Sequence, residues 1–142
     1  MPARDNIHHL IKAAIVNDGW QITADPYVIS YGERFLFVDL AAIQSSGVIG
    51  AEREGKSIAI EIKQFRGQSA IADLEQAIGQ YMLYKLLLSQ VDPNRDLYLA
   101  IPETSYDSIF SEPVGELVIR DLPLKLIVVN LLTEEIVRWI PS

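Results

Sequence analysis

Residues 57–63 read Ser57-Ile58-Ala59-Ile60-Glu61-Ile62-Lys63. The alternation assigns Ile58, Ile60 and Ile62 to one face of a β-strand and Ser57, Ala59, Glu61 and Lys63 to the other. Two opposite charges therefore project from one face of a strand that otherwise reads as interior. Desolvating a carboxylate or an ammonium without a partner costs roughly several kcal/mol, so the pair must be matched, hydrated or bound to a metal. A strand that closes on Glu-x-Lys is a candidate edge of an active site.

A second acid stands upstream, in the apolar run Phe35-Leu36-Phe37-Val38-Asp39-Leu40. Read as a continuous strand, the run places Asp39 on the face of Phe35 and Phe37. The combination Asp39…Glu61-x-Lys63 resembles the minimal pattern of the restriction-endonuclease-like nucleases. In those enzymes two carboxylates hold a divalent metal against a phosphate and the lysine sits beside the attacking water. With 19 acidic residues and five lysines in 142 positions, an acid-x-Lys triplet arises by chance about once. The context carries the signal: the triplet closes an alternating strand, an acid ends an earlier one, and a glutamine-bearing helix follows. The competing reading is a surface ion pair on an edge strand.

Composition sets the limits. A chain of 142 residues with 49% hydrophobic and 22% charged residues can bury a full core, and residues 1–142 read as one domain without repeats or linkers. Cysteine is absent, which excludes disulfides, thiol catalysis and cysteine zinc sites. No apolar run approaches the roughly 18 residues of a membrane span, and no signal peptide is visible, so a cytoplasmic protein with no membrane partner is expected. The net charge of −7 and pI near 4.7 oppose unaided coating of nucleic acid, because unspecific affinity comes from Lys and Arg on phosphates. A carboxylate-rich metal site is itself a source of such charge.

Along the chain, Ile7, Leu10, Ile11, Ala14 and Ile15 follow helical spacing, and Gly19 supplies the stop. On the polar side Asp5 and His9 are i, i+4 neighbours and His8 lies at the border. Short strands are expected at 20–23 and in the run that ends at Asp39, with turns at Asp25-Pro26 and Tyr31-Gly32-Glu33. The stretch 48–63 reads as a hairpin, 48–53 and 57–63, turning at Glu54-Gly55-Lys56. A shifted register there would let Glu52 replace Asp39. Ser69 caps a long helix with apolar positions Ile71, Leu74, Ile78, Tyr81, Met82 and leucines to Leu88. Its residues Asp73, Gln76, Gln80 and Tyr84 recur at helical spacing. Asp92-Pro93 ends it, a strand follows at 95–101, a short helix at 103–110, and strand-like runs at 116–120, 124–129 and 135–140. Strand, long helix, strand predicts a parallel crossover. The expected architecture is an α/β three-layer, restriction-endonuclease-like fold with a mixed sheet, antiparallel first and parallel later, and helices on both faces.

The chemistry matches the residue types. Phosphodiester hydrolysis needs neutralised phosphate charge and an activated water, which Mg²⁺ on hard oxygen ligands supplies, with Mn²⁺ as substitute. Asp39 and Glu61 are the expected metal ligands, with the carbonyl of Ile62 as an added one, and Lys63 positions or deprotonates the water. Gln80 is expected to orient Lys63 or a phosphate oxygen. Tyr84 closes a Gln-x-x-x-Tyr pattern that follows the Glu-x-Lys strand in one branch of the superfamily, and it packs or contacts the nucleic-acid backbone. Related nucleases also draw an acid from their first helix, which leaves Asp5 and His8 open as contributors.

Several blocks resemble the XisH family of cyanobacterial fdxN-element excision controlling factors: Met1-Pro2-Ala3-Arg4-Asp5, the stretch 51–63, Ser69-Ala70-Ile71, Leu97-Tyr98-Leu99-Ala100-Ile101-Pro102 and Val137-Arg138-Trp139-Ile140. The resemblance spans nearly the whole chain. It implies a restriction-endonuclease-like fold and an accessory role in DNA-element excision during heterocyst differentiation. The implied partners are DNA, a small XisI-like companion protein and, indirectly, a recombinase. Val38 stands where a proline often precedes the first acid, and the insert before Glu61 is long; both departures bear on nuclease activity more than on architecture. The apolar strands near the C-terminus, with Trp139, suggest a surface covered by the companion or by a second copy.

Overall fold

A computed structural model describes residues 3–44, 55–65 and 69–141, residues 3–6 by their backbone alone. Helix α1 (Ala3–Asn17) is followed by strands β1 (Gln21–Ala24), β2 (Tyr27–Tyr31), β3 (Arg34–Val38), β4 (Leu40–Gln44) and β5 (Lys56–Ile62). Then come α2 (Ala70–Val91), β6 (Arg95–Pro102), α3 (Glu103–Ser108) with a 3-10 turn at Ile109–Ser111, α4 (Pro113–Asp121), β7 (Leu126–Asn130) and β8 (Glu135–Ile140). Six strands form one sheet in the order β1-β4-β5-β6-β7-β8, and β2 and β3 form a separate ribbon. The pairs β1/β4, β4/β5 and β7/β8 are antiparallel, while β5/β6 and β6/β7 are parallel. The sheet is thus mixed as expected, but it returns to antiparallel pairing at β8.

The alternation of β5 sorts its residues between two cores. Ile58 and Ile60 pack with Ile11, Ile15 and Leu40 under α1, whereas Ala59 faces Leu74, Tyr81 and Leu99 under α2. Each isoleucine so buried contributes roughly 1.5–3 kcal/mol. The result is a three-layer α/β architecture, with α1 on one face and α2, α3 and α4 on the other. Gly19, with φ of 99°, ends α1 in the left-handed region that glycine adopts freely. Tyr81 pins the α2 layer: its hydroxyl donates to Leu97 O at 2.8 Å and accepts the Lys125 N–H at 3.2 Å. Burial pushes its pKa up to about 12.

Four sequence expectations change. The run around Asp39 is not one strand. Phe35 and Phe37 stay 67% and 55% exposed on the ribbon, while Asp39 is 6% exposed at the point where the chain crosses into the main sheet. The antiparallel partner of β5 among the described residues is β4, with Leu40 opposite Ile60; the expected strand 48–53 lies outside the described residues. On α2 the buried stripe is Leu74, Ala77, Tyr81, Tyr84 and Leu88, and Ile71 and Met82 face outward. Residues 116–120 are helical. Their Leu-Val-Ile content reads as strand, but Pro113 presets the first helical turn and five residues are too few for periodicity to decide.

Helix α4 reaches the core through Gly115, where an added Cβ would overlap Ile109 O and Phe110 Cα. Gly115→Ala is therefore expected to cost about 2–3 kcal/mol by forcing the two backbones apart, measured as a lower urea midpoint at unchanged slope.

A second tie joins the ribbon to the end of α2. Asp92 accepts from Arg95 Nε at 2.8 Å and from the Tyr27 hydroxyl at 3.0 Å, and Arg95 also reaches Ile58 O at 2.9 Å. The Arg95 hydrogen bond, against the opposing effect of burial and helped by Tyr27, holds the Asp92 carboxyl below its ordinary value. A depressed carboxylate stabilises the fold fully above its unfolded value of 3.8, and the contribution fades as pH falls through the lower folded value. Asp92 is 33% exposed, so the pair is partly screened. Asp92→Asn is expected to cost about 1 kcal/mol at neutral pH, and the gap to wild type should close in acid when both are unfolded by urea across pH.

Candidate active site

The carboxylate pair arises from the register of β4 on β5. Leu40 pairs with Ile60 and Ala41 with Ala59, so Asp39, one residue before the ladder, falls opposite Glu61 and on the α2 side of the sheet. The ladder is replaced there by side chains. The backbone N–H of Asp39 donates to Glu61 Oε1 at 3.2 Å, and the N–H of Ile62 donates to Asp39 Oδ2 at 2.8 Å. The two acids are each 6% exposed. Parity alone brings Glu61 to this face, but Asp39 arrives only because the chain leaves the ribbon at that residue.

Lys63 shares the face. Its backbone N–H donates to Ala100 O at 3.0 Å, extending the β5/β6 pairing by one residue. Its Nζ donates to Gln76 Oε1 at 3.0 Å. Gln76 lies in the second turn of α2, and that helix is positioned by the Ser69 hydroxyl, which accepts the Ala72 N–H at 3.2 Å. The strand exit is held from the other side: the Phe65 N–H donates to the buried Ser105 hydroxyl at 3.3 Å, and the Phe65 ring meets Phe110 edge-on at 5.7 Å. Between them, Gln64 Oε1 is buried with no hydrogen-bond partner among the described residues.

Gln80 lies one helical turn beyond Gln76, and its amide donates to the Tyr84 hydroxyl at 3.2 Å, so the partner of Lys63 is Gln76. Tyr84 is 9% exposed and belongs to the α2 core. From the first helix, His8 Nε2 lies 2.9 Å from Asp25 Oδ1, and Lys12 Nζ lies 2.7 Å from Asp25 Oδ2. Burial acts to raise the Asp25 carboxyl, but the bonds and charges of Lys12 and His8 outweigh it and hold the group below its ordinary value. This cluster ties α1 to the turn between β1 and β2. The side chain of Asp5, and all of Glu52, lie outside the described residues.

Among the described residues no three His, Cys, Asp or Glu side chains converge on one point. Two buried carboxylates with adjacent backbone carbonyls nevertheless fit Mg²⁺, which takes one or two protein carboxylates and completes its shell with water and phosphate oxygens. Adjacent like charges out of water favour a cation. A groove of about 670 Å³ elsewhere, at the start of β5, is lined by Lys56, Tyr98, Trp20 and Trp139. Trp139 is half-buried there, 5.7 Å from Trp20 and 5.1 Å from Tyr98, and so is covered largely within the chain. The groove lacks paired acids, which separates it from the carboxylate site. No helix among the described residues is long and apolar enough to cross a membrane.

Gln76 was visible in sequence only as one of four polar residues on a stripe; choosing it over Gln80 requires the angle at which α2 crosses β5. Ser105 carries no local signal, since its role depends on the loop that folds back onto α3.

Comparison with known proteins gives a consistent result. The family described as XisH protein matches residues 1–137. The crystal structure of a fdxN element excision controlling factor protein from Anabaena variabilis superposes with a TM-score of 0.83 at 39% identity, covering 96% of this chain and 99% of that one. An XisH family protein from Nostoc punctiforme gives a TM-score of 0.81 at 36% identity, covering 94% of this chain and 97% of that one. No curated protein matches. With one family matched from residue 1 to 137, and crystallised members similar over almost their whole length, this protein belongs to the XisH family.

Proposed function

We propose that this protein is an accessory factor in the excision of a DNA element, and that it acts through metal-dependent hydrolysis of a phosphodiester at Asp39, Glu61 and Lys63. The name of the Anabaena variabilis relative supports the role in excision control. The observation that carries the chemistry is the pair of bonds between the β3–β4 junction and the end of β5, Asp39 N–H to the Glu61 carboxylate and Ile62 N–H to the Asp39 carboxylate, with Lys63 on the same face held by Gln76.

Asp39 and Glu61 would hold a divalent ion, Mg²⁺ or Mn²⁺, with the Ile62 carbonyl beside them; bound there, the ion neutralises phosphate charge and acidifies water. The chain's own contribution is placement. The two backbone N–H bonds fix both carboxylates at one height in the sheet. Gln76 fixes the direction of the Lys63 side chain, which positions the attacking water or, as the neutral amine, accepts its proton. Gln80 and Tyr84 stiffen the next turn of α2 rather than reaching the lysine.

A net charge of −7 favours a second reading, in which the fold regulates a recombinase without cutting and binds DNA weakly or only beside a small XisI-like companion. The two readings separate in one assay. Supercoiled DNA is incubated with Mg²⁺ or Mn²⁺, with and without the companion and the recombinase. Metal-dependent nicking supports hydrolysis, and excision that proceeds equally with Lys63→Ala supports the scaffold.

A further inference from the structure

Helix α2 has a second apolar side that the described residues leave uncovered. Ile71, Met82, Leu83 and Leu86 are 46%, 37%, 49% and 62% exposed, opposite the buried Leu74, Ala77, Tyr81, Tyr84 and Leu88. At helical spacing, positions 71, 75, 79, 82 and 86 fall on one stripe, with Leu83 at its border. Gly79 stands in the middle of that stripe, and a Cβ built on it meets nothing within 4 Å. A glycine inside a 22-residue helix costs stability relative to alanine, and nothing within the described fold requires it. A position that gives up stability and leaves open space beside exposed leucines suits the close approach of another backbone.

We infer that the occupant is a second copy of this chain, its α2 crossing antiparallel over Gly79. The charges on the helix are arranged for such a pair. Glu75 and Lys85 are exposed, form no ion pair among the described residues, and lie equally far on either side of position 80. A two-fold axis near that position sets Glu75 of each copy beside Lys85 of the other, while Met82, Leu83 and Leu86 pack against their counterparts around the glycine. A pairing built on one helix lies at the small end of stable interfaces, so the association is expected to be weak and concentration-dependent. With −7 on each copy, added salt should strengthen it. The inference does not depend on catalysis.

Sedimentation equilibrium of the full chain from micromolar to near-millimolar concentration tests it. The wild type should pass from monomer to dimer, and Leu86→Glu should weaken association by roughly tenfold or more. Glu75→Lys and Lys85→Glu should each weaken it, and the double charge reversal should restore it, because both new pairs again have opposite signs. Gly79→Ala serves as the folding control: it should raise the melting temperature of dilute protein while weakening the dimer, a combination that a purely structural glycine would not give. A wild type that stays monomeric throughout overturns the inference and assigns the stripe to a different protein. A dimer indifferent to Leu86→Glu and to the charge reversals overturns it as well.

Discussion

Lys63→Ala should lower metal-dependent cleavage of supercoiled DNA by about 10²- to 10⁴-fold while leaving the fold and divalent-ion binding in place. The lysine is partly exposed at the end of β5, and its ammonium donates to Gln76, so removing it is expected to change stability by less than about 0.5 kcal/mol. Its backbone N–H, which continues the pairing to Ala100, survives the substitution. The rate loss should therefore appear in turnover. Gln76→Ala should fall between the two proteins, because it frees the ammonium without removing it. Equal cleavage by wild type and Lys63→Ala would take the lysine out of the chemistry, and loss of metal binding in the variant would mean that its charge supports the acids instead.

Glu61→Gln should stabilise the metal-free protein and abolish its response to metal. Glu61 and Asp39 are acids buried side by side, and each accepts one backbone N–H from the other's neighbourhood. Glutamine keeps the shape and an oxygen for the Asp39 N–H but leaves one carboxylate where two are buried together, which should relieve like-charge repulsion between them. In the wild type a divalent ion relieves that repulsion, so melting temperature should rise with Mg²⁺ or Mn²⁺; at one hundred times the dissociation constant the gain is about 2.7 kcal/mol. The variant should start higher and stay flat. A metal-free variant less stable than the wild type would show that Glu61 serves the fold, and a retained metal response would place the ion elsewhere.

These expectations rest on a site of which the sequence shows half. Strand β5 is legible because isoleucine recurs at every second position, 58, 60 and 62, and that alternation decides which face Glu61 and Lys63 share. The ends of α1 and α2 are legible because Gly19, Ser69 and Asp92 are local signals with local causes. Asp39 was found as an acid in an apolar run, but its facing was not, because the chain changes sheets at that residue and continuous pleating no longer applies. The ribbon strand β2 and the helical state of α4 were missed for related reasons. Tyr27–Tyr31 gains its inner face only by packing on α2, and Gly115 is selected by the backbone of Ile109 and Phe110 in the preceding 3-10 turn, a close approach that exists only once that turn folds against α4. The partner of Lys63 belongs to the same class: four polar residues on one stripe are equivalent until the helix is docked.

Anomalous diffraction from a crystal soaked in Mn²⁺ tests the central claim most directly. The account predicts a peak between Asp39 and Glu61, within coordination distance of a carboxylate oxygen of each, which vanishes in Glu61→Gln. A fully soaked crystal with no peak at the two acids, or with its peak at the Asp25 or Asp92 cluster, would contradict it.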